Sequence, residues 1–289
     1  MVIVFNPVAG RRRAHLLWRV LDVLVANGVR LDLAETHCAG HAEALAREAA
    51  GRGEAMVVAA GGDGTIAEVA NGLMGSTARL GVIPLGTANV LAHELGLPFA
   101  PRSVAAALAF GRTCTLWPGQ ANGPDGARLF VQMLGVGFDA HVVHNLPFPL
   151  KKVFGKGAYV MQSVRELARY KFPAIRMRID NVETEAASVI VSKGTLYGGS
   201  FRLAAEAVPS DPGFSVVLFD RSGPGAAMMY GAALPLNLLG RAPGVRHIRA
   251  RRVDFLQNEA APAQTDGDSA GQAPLWVSDA PGPIQVVMG

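Results

Sequence analysis

The chain has 289 residues, of which 50% are hydrophobic and 17% are charged, and its formal net charge is +4. This balance excludes an intrinsically disordered chain and provides enough apolar residues for one large domain or two ordinary ones. The two cysteines, Cys38 and Cys114, lie far apart without a CxxC spacing, which excludes a disulfide framework and favours a reducing compartment.

The first 118 residues alternate short apolar runs with helical patterns. The uninterrupted apolar run 56–60 predicts a strand that is buried on both faces of a parallel sheet. Further strands are predicted at 2–5, 30–36 and 80–84, and helices at 40–50, 66–73, 89–95 and 104–110. Strands that alternate with helices in this way predict an α/β domain with a parallel sheet.

The second half contains many strand-like segments and few helices. Strands are predicted at 130–140, 175–180, 187–192, 201–207, 214–220, 248–256 and 284–288, and helices at 157–170 and 223–240. Many short strands with few helices predict an antiparallel β-sandwich. Because the pattern changes near Trp117-Pro118-Gly119, we predict an α/β domain over 1–118 and a β-rich sandwich domain over 119–289.

The longest stretch without a charged residue covers residues 222–240. A bilayer span needs about 20 apolar residues, and this stretch contains Pro224, Pro235 and Asn237, so a helix against the sheet is the better interpretation. Basic residues concentrate in 151–178 and 241–252. These clusters can attract anionic lipid or can form a solvated face, and both interpretations stay open. No basic motif is interleaved with aromatic residues, which argues against nucleic acid as a partner.

A glycine-rich turn separates the predicted strand 56–60 from the predicted helix 66–73. Backbone amides at the start of a helix can bind a phosphate, and the helix dipole adds to the attraction. The turn offers the amides of Gly61, Gly62, Gly64 and Thr65. Two neighbouring strands end in similar turns, which carry Asn6 and Thr87 as further hydrogen-bonding residues. Ligands bind where such turns meet at the carboxyl ends of parallel strands, although all three turns can also be ordinary loops.

The three turns resemble the signatures of the diacylglycerol kinase catalytic family, which includes bacterial lipid kinases and sphingosine kinases. The matching segments are Asn6-Pro7-Val8-Ala9-Gly10, Gly61-Gly62-Asp63-Gly64-Thr65 and Gly86-Thr87-Ala88-Asn89. The resemblance continues at 135–140, 197–201 and 265–268, so it spans nearly the whole chain. It implies a nucleotide-binding α/β domain, a β-rich lipid-binding domain, and an active site in the cleft between them that uses ATP and Mg²⁺.

The resemblance also implies roles for single residues. Thr36 would contact the nucleotide, and Asp63 would act on the metal ion, the phosphates or the transferring hydroxyl. Asp268 stands at the position of the family's general base, which is usually a glutamate. Apart from the resemblance, the Asp266-Gly267 pair predicts a β-hairpin turn, and both interpretations are compatible because a base can lie on a hairpin. No Walker lysine motif is present, so a P-loop kinase is not expected.

A structural magnesium ion is a further implication of the resemblance. Its ligands would be the Asp211 carboxylate and the backbone carbonyls of Val208 and Gly213, and such oxygen ligands suit a hard cation. Two residues depart from the family's pattern. Pro212 replaces a glycine that is usual in this loop, and Val90 replaces an aspartate found in many members. Valine cannot bind a metal ion, so that carboxylate is either dispensable or replaced by Asp63.

These patterns favour an ATP-dependent lipid kinase that phosphorylates diacylglycerol. The alternatives are a sphingoid-base or ceramide-type kinase, a kinase similar to NAD kinase, and an inactive regulator that binds nucleotide or lipid. The expected partners are a lipid substrate at a membrane surface, anionic lipid, and a second copy of the chain in a homodimer, but no nucleic acid. The expected location is cytoplasmic, at the inner face of a membrane, because the first residues do not form a secretory signal.

Overall fold

A computed structural model of the chain describes residues 1–9, 14–124, 126–145, 156–167, 169–256 and 261–289. Gly10 of the first motif and residues 151–155 of the first basic cluster therefore lie outside the described residues. The described residues form two compact units, Met1–Trp117 with Pro281–Gly289, and Pro118–Ala280. The predicted second domain included residues 281–289, but they belong to the first unit because their strand pairs with strands of the first sheet.

The first unit is built on a six-stranded sheet. Its strands are β1 (Val2–Phe5), β2 (Asp32–Glu35), β3 (Met56–Gly61), β4 (Arg79–Pro84), β5 (Thr113–Leu116) and β20 (Ile284–Val287). They lie in the order β2-β1-β3-β4-β20-β5, and all neighbours are parallel except β20 and β5. Every residue of the interior strand β3 is buried, which explains its uninterrupted apolar sequence.

Helices of the first unit follow its strands. They are α1 (Ala14–Ala26), α2 (His41–Gly51), α3 (Asp63–Leu73), α4 (Val90–Glu94) and α5 (Pro101–Phe110). The predicted α/β alternation is confirmed, except that α1 is missing from the predicted elements. Helix α3 begins at Asp63, directly after β3 and Gly62, so the glycine turn lies at the carboxyl end of a central strand.

The second unit is an antiparallel β-sandwich. Its strands are β6 (Gly119–Gly123), β7 (Gly126–Phe130), β8 (Met133–Val136), β9 (Ile175–Ile179), β10 (Val182–Ala186), β11 (Ser188–Ser192), β12 (Leu196–Tyr197), β13 (Phe201–Arg202), β14 (Phe214–Phe219), β15 (Val245–Ala250), β16 (Val253–Phe255), β17 (Pro262–Thr265), β18 (Asp268–Gln272) and β19 (Leu275–Asp279). One sheet has the order β10-β9-β16-β19-β6-β7 and the other β15-β14-β11-β8-β17-β18. Met177 and Val277, from the sheet that begins with β10, pack against Leu134 and Val216, from the sheet that begins with β15, in one hydrophobic core. The predicted sandwich is therefore confirmed.

Local differences from the predicted strands have a backbone cause. The predicted strand 130–140 is divided, since Phe130 ends β7 and β8 covers only Met133–Val136. It stops there because Gly137 adopts φ 111° and is followed by helix α6 (Phe138–His144). The predicted strand 201–207 is limited to Phe201–Arg202. The predicted strand 248–256 divides into β15 and β16, which lie in different sheets. The remaining helices of this unit are α7 (Lys156–Leu167) and α8 (Pro224–Ala233).

The uncharged segment 222–240 contains α8 and the first residues of a short 3-10 helix, Leu239–Arg241. Tyr230, Ala233 and Leu234 pack against a hydrophobic cluster that includes Phe219 of β14. No residue of α8 is buried, however, so the helix contacts the sheet with one side only. Among the described residues, none of the helices combines the length and the apolar character that crossing a bilayer requires.

Candidate active site

Two glycine turns of the first unit lie backbone against backbone. Gly62 has an extended conformation, and a Cβ built on it would meet only the Cα of Gly86, at 3.4 Å. A Cβ built on Gly86 would lie 2.5 Å from the Cα of Gly62, which no side chain tolerates. The turn after β3 and the turn after β4 therefore need a glycine at position 86 to approach each other this closely.

Asn6 and Thr65 connect the turn after β1 to the first turn of α3. The Asn6 Nδ2 donates to Thr65 Oγ1 at 3.1 Å. The Asn6 Oδ1 accepts from the backbone amides of Val8 and Ala9, at 3.0 and 3.2 Å. The structure thus brings two predicted ligand residues together, but it uses the Asn6 side chain to hold the loop that carries it.

Asp63 is the first residue of α3, and its carboxylate faces the start of α4. Its Oδ1 accepts a hydrogen bond from the backbone amide of Leu91 at 3.4 Å. Burial raises the pKa of the Asp63 carboxyl above its ordinary value, while hydrogen bonds from the amides of Leu91, Val90 and Asn89 act in the opposite direction. The backbone amide of Val90 therefore contributes to the environment of Asp63, whereas its side chain offers no carboxylate.

The other predicted nucleotide contacts lie at the same ends of the strands. Thr36 follows β2, is buried, and donates its backbone amide to the Phe5 carbonyl at 2.8 Å. Thr87 follows β4 and is exposed. Gly61 ends β3, and Gly64 lies in the first turn of α3. In the turn between β4 and α4, Asn89 adopts φ 47° and donates Nδ2 to the Gly86 carbonyl at 2.9 Å.

Glu68 is a functional candidate that the sequence analysis does not identify. It lies on α3, and its two carboxylate oxygens accept from the backbone amides of Gly40 and Ala42, at 2.9 and 3.1 Å. These bonds fix the start of α2 relative to α3, the helix that follows the glycine turn. A glutamate on a helix surface gives no local signal of such a role, because its partners are separated from it by 26 and 28 residues.

Asp268 begins β18 in a hairpin of the second unit. The turn residues Asp266 and Gly267 have φ values of 50° and 85°, as a two-residue Asp-Gly hairpin requires, so the predicted turn is confirmed. Asp268 pairs with Thr265 across the hairpin and is partly exposed. The hairpin therefore holds the Asp268 backbone in a defined register while its side chain keeps access to solvent.

The Asp266 carboxylate fastens this hairpin to the segment between β7 and β8. It accepts from the backbone amides of Val131, Gln132 and Met133, at 2.8, 2.9 and 3.0 Å. These three charge-assisted bonds commit the carboxylate to a structural role. Asp266 is consequently a poor alternative to Asp268 as a proton acceptor.

A second polar network holds the hairpin from its other side. The Gln264 Oε1 accepts from the Gly267 amide at 2.8 Å, and its Nε2 donates to Asp139 Oδ2 at 2.9 Å. Tyr197 donates its hydroxyl to Asp139 Oδ1. Burial raises the pKa of Asp139, whereas the hydrogen bonds from Tyr197 and Gln264 lower it. Three segments that resemble family motifs, at 135–140, 197–201 and 265–268, thus meet in one network.

We expect Asp266→Ala to lower the free energy of unfolding by about 2–4 kcal/mol, because three backbone amides lose a charged acceptor. Chemical denaturation with both variants measures this loss. Asp22→Ala, at an exposed position of α1, is the control and should change the free energy by less than about 0.5 kcal/mol. Equal stability of the two variants would contradict the structural role of Asp266.

In the loop predicted to bind magnesium, each of the three predicted ligands already accepts a hydrogen bond. The Val208 carbonyl accepts from the Asp211 amide at 3.1 Å, and Asp211 Oδ1 accepts from Ser210 Oγ at 3.0 Å. The Gly213 carbonyl accepts from the Lys193 Nζ at 2.9 Å. A magnesium ion at this carbonyl would lie about 2 Å from the oxygen and directly beside another cation. The residues Val208, Asp211 and Gly213 therefore do not fit a structural magnesium ion.

Both units of the chain are similar to known protein families. Residues 1–120 match the family model of the diacylglycerol kinase catalytic domain, and residues 132–288 match that of the YegS C-terminal NAD kinase beta sandwich-like domain. A Bacillus subtilis protein named "Diacylglycerol kinase" is 29% identical over 282 residues, which cover 94% of this chain and 90% of that protein. A Pseudomonas aeruginosa protein named "Probable lipid kinase YegS-like" is 33% identical over 219 residues, covering 72% of this chain and 68% of that protein.

A solved structure shares the fold. The crystal structure of a diacylglycerol kinase from Bacillus anthracis superposes with a TM-score of 0.73 at 20% identity. The superposition covers 100% of this chain and 96% of that one. The α/β unit followed by a β-sandwich is therefore an arrangement of elements that this chain shares with it.

Proposed function

The chain belongs to the family of diacylglycerol kinase-like and YegS-like lipid kinases, and from this premise we propose that it transfers the γ-phosphoryl group of ATP to a lipid hydroxyl. The lipid that we propose is diacylglycerol, and the product is then phosphatidic acid. The name of the Bacillus subtilis relative supports this choice, although YegS-like relatives are named only as lipid kinases.

The observation that carries the proposal is the pair of glycine turns in the first unit. Phosphoryl transfer depends mostly on positioning the phosphates and neutralising their charge. Gly62 is extended, and neither it nor the adjacent Gly86 carries a side chain, so the backbone of the two turns is bare where a phosphate would approach. The amides of Gly64 and Thr65 lie in the first turn of α3, where the helix dipole favours an anion.

Magnesium is proposed only as the ion that accompanies the nucleotide. Asp63 offers a carboxylate beside the phosphate-binding turn, and carboxylate and phosphate oxygens together are the usual ligands of Mg²⁺. When bound, the ion would neutralise charge on the phosphates. In this proposal Asp63 positions the phosphates, while Thr36 and Thr87 contact other parts of the nucleotide.

Asp268 is the proposed general base. Its carboxylate would accept the proton of the lipid hydroxyl as the oxygen attacks the γ-phosphorus. Two features support this role: the hairpin fixes its backbone, and the neighbouring Asp266 is committed to three amides. Aspartate is one methylene shorter than the glutamate that is usual in the family, so the hairpin must bring the backbone correspondingly closer to the substrate.

Phosphate transfer from labelled ATP to a panel of acceptors tests the proposed function. The panel contains diacylglycerol, a sphingoid base, ceramide and NAD, each presented in mixed micelles or in solution. We expect the label in phosphatidic acid and its loss with Asp268→Asn. Label in a sphingoid product or in NADP would assign a different acceptor, and ATP binding without transfer to any acceptor would favour an inactive regulator.

A lipid substrate places the enzyme at a membrane surface. We propose peripheral attachment to the inner face of a membrane that contains anionic lipid, since Arg241, Arg246 and Arg249 are exposed in the second basic cluster. Basic residues near such a surface contribute about 1 kcal/mol each to the attraction. Arg246 forms an ion pair with Asp220, which reduces its contribution.

A further inference from the structure

Lys193 is a fully buried lysine that follows β11 in the second unit. Its side chain is 0% exposed, and its Nζ lies 5.0 Å from the centre of the Phe214 ring. It donates to the carbonyl oxygens of Asp211 and Gly213, at 2.8 and 2.9 Å, and to Asp279 Oδ1 at 3.2 Å. Three oxygens accept from the Nζ, which matches the three donors of a charged ammonium group. Burial lowers the pKa of Lys193, and the Asp279 carboxylate acts in the opposite direction.

The loop 208–213 directs its carbonyl groups towards cationic side chains. Besides the two carbonyls that accept from Lys193, the Pro212 carbonyl accepts from Arg249 Nη2 at 2.8 Å. The consecutive carbonyls of Asp211, Pro212 and Gly213 thus all accept hydrogen bonds from cationic side chains. Converging carbonyl oxygens would otherwise attract a hard metal ion, and the two positive side chains repel one.

Asp279 balances the buried charge and completes the arrangement. Both of its carboxylate oxygens accept from the Gly213 amide, at 2.9 and 2.8 Å, while Oδ1 also accepts from Lys193. The ammonium group therefore has a counter-charge and two carbonyls around it. A buried charge is tolerated only when it is paired and hydrogen-bonded in this way.

We propose that the Lys193 ammonium is the internal cation of the 208–213 loop and replaces the structural magnesium ion that the family resemblance implies. Because the cation is attached covalently to β11, the loop keeps its conformation whatever the concentration of free Mg²⁺. The loop of this protein is accordingly independent of metal, while any Mg²⁺ requirement of the reaction comes from the nucleotide.

Thermal unfolding of the full chain without nucleotide tests the metal independence. We expect the same melting temperature after dialysis against EDTA and in excess Mg²⁺. A higher melting temperature in Mg²⁺ that Asp211→Asn abolishes would overturn the proposal, because the ion would then bind at the loop. A rise that persists in Asp211→Asn assigns the ion to another site and agrees with the proposal.

The variant Lys193→Met tests the charge itself, since its unbranched side chain fills the space as far as the Cε atom but lacks the ammonium group. We expect its melting temperature to fall by roughly 10 °C, because two carbonyls and the partly buried Asp279 carboxylate lose their cation. The control is Lys171→Met, at an exposed lysine, which should melt like the parent. A parent-like melting temperature for Lys193→Met would overturn the proposal, and if this variant does not fold, the EDTA comparison on the parent decides it.

An independent observation concerns the outer side of the uncharged segment 222–240. Met228, Leu236 and Leu238 are 63%, 67% and 50% exposed. The inner side of the segment is fixed to the protein, since Tyr230 packs edge-on against Phe219 and donates to the Pro243 carbonyl at 3.2 Å. Met228 is therefore exposed on a helix whose Tyr230 is fixed to the sheet, and Leu236 and Leu238 are exposed in the turn that follows this helix.

The charges around this segment complement an anionic surface. Arg221 and Arg241 are exposed at its two ends, and no charged residue lies between them. The nearby Asp220 is paired with Arg246, at 2.6 Å, so the flanking arginines keep an excess of positive charge. An apolar strip with a cation at each end matches acyl chains bordered by anionic headgroups.

We infer that the outer side of segment 222–240 docks on a bilayer that contains anionic lipid. The inference rests on the proposed function, because a kinase for a membrane lipid must reach the headgroup layer. Met228, Leu236 and Leu238 enter the boundary between headgroups and acyl chains, and Arg221 and Arg241 remain at the headgroups. Met228 lies on α8, and Leu236 and Leu238 lie in the turn that follows it, so docking would use the helix together with this turn. Docking at the interface needs no membrane-spanning segment.

Sedimentation with vesicles tests the docking surface. The double variant Met228→Glu with Leu236→Glu should bind vesicles of phosphatidylcholine and phosphatidylglycerol at least about tenfold more weakly than the parent. The control is Phe110→Glu, which replaces one exposed apolar side chain, 84% exposed on α5 of the first unit, by a single glutamate. Arg221→Gln with Arg241→Gln should reduce both the preference for phosphatidylglycerol and the loss of binding in high salt.

Two outcomes would overturn the docking inference. One is parent-like vesicle binding by the double glutamate variant. The other is a parent homodimer that this variant dissociates, because the apolar side would then be covered by a second copy. Activity on a water-soluble short-chain diacylglycerol separates this inference from the proposed function. We expect the double glutamate variant to retain this activity. If the parent protein lacks the activity, the result contradicts the kinase proposal alone.

Discussion

Asp268→Asn is expected to reduce lipid phosphorylation by about 10²–10⁴-fold, which is the usual contribution of a general base. Asparagine keeps the size of the side chain but cannot accept the hydroxyl proton. The hairpin depends on Asp266, Gly267 and Gln264, none of which the substitution alters, so the fold should be preserved. Steady-state turnover with ATP and diacylglycerol measures the effect, and a binding titration should show nearly unchanged affinity for ATP.

Asp268→Glu is the matched comparison. It restores the longer carboxylate that is usual in the family, so it should keep substantial activity while Asp268→Asn loses it. That contrast would identify the carboxylate as the functional group. If Asp268→Asn turns over lipid at the parent rate, Asp268 is only a hairpin residue. The base would then have to be sought at Asp63, since Asp266 is bound to three backbone amides.

Gly62→Val is expected to weaken ATP binding by about a hundredfold or more, because its side chain prevents the close approach of a phosphate and removes charge-assisted hydrogen bonds. The fold should tolerate the change. The conformation at Gly62, with φ −93° and ψ −173°, is open to any residue, and its Cβ would have only an ordinary contact with Gly86. Isothermal titration with ATP measures the affinity, and circular dichroism checks the fold.

Two glycine variants serve as controls for this effect. Gly51→Val lies in α2, where an added Cβ meets no atom within 4 Å, and should leave ATP affinity unchanged. Gly86→Ala should instead lower the melting temperature, because its Cβ would collide with the Gly62 backbone. Full ATP affinity in a folded Gly62→Val protein would rule out this turn as the phosphate site.

Local sequence patterns predict the parts of the site that are formed by neighbouring residues. The glycine turn lies between β3 and α3 because an apolar run, two glycines and a helical pattern follow one another directly. The hairpin at Asp266 and Gly267 is equally local, since both residues adopt the left-handed conformation that this dipeptide favours. The helix α1 is a local feature as well, because its buried residues Leu17, Val20 and Leu24 follow the three-to-four-residue spacing of an amphipathic helix.

The sequence by itself therefore determined the α/β and β-sandwich classes, the change of unit near Trp117, and the turns that carry Asp63 and Asp268. Only the tertiary structure decided that β20 joins the sheet of the first unit and that Asp266 accepts from three amides of a distant segment. It also decided that Lys193 donates to carbonyls of the 208–213 loop. The physical reason is the range of the interactions. Turns and periodic patterns arise from adjacent residues, whereas a buried ammonium is revealed only by acceptors that approach it when the chain has folded.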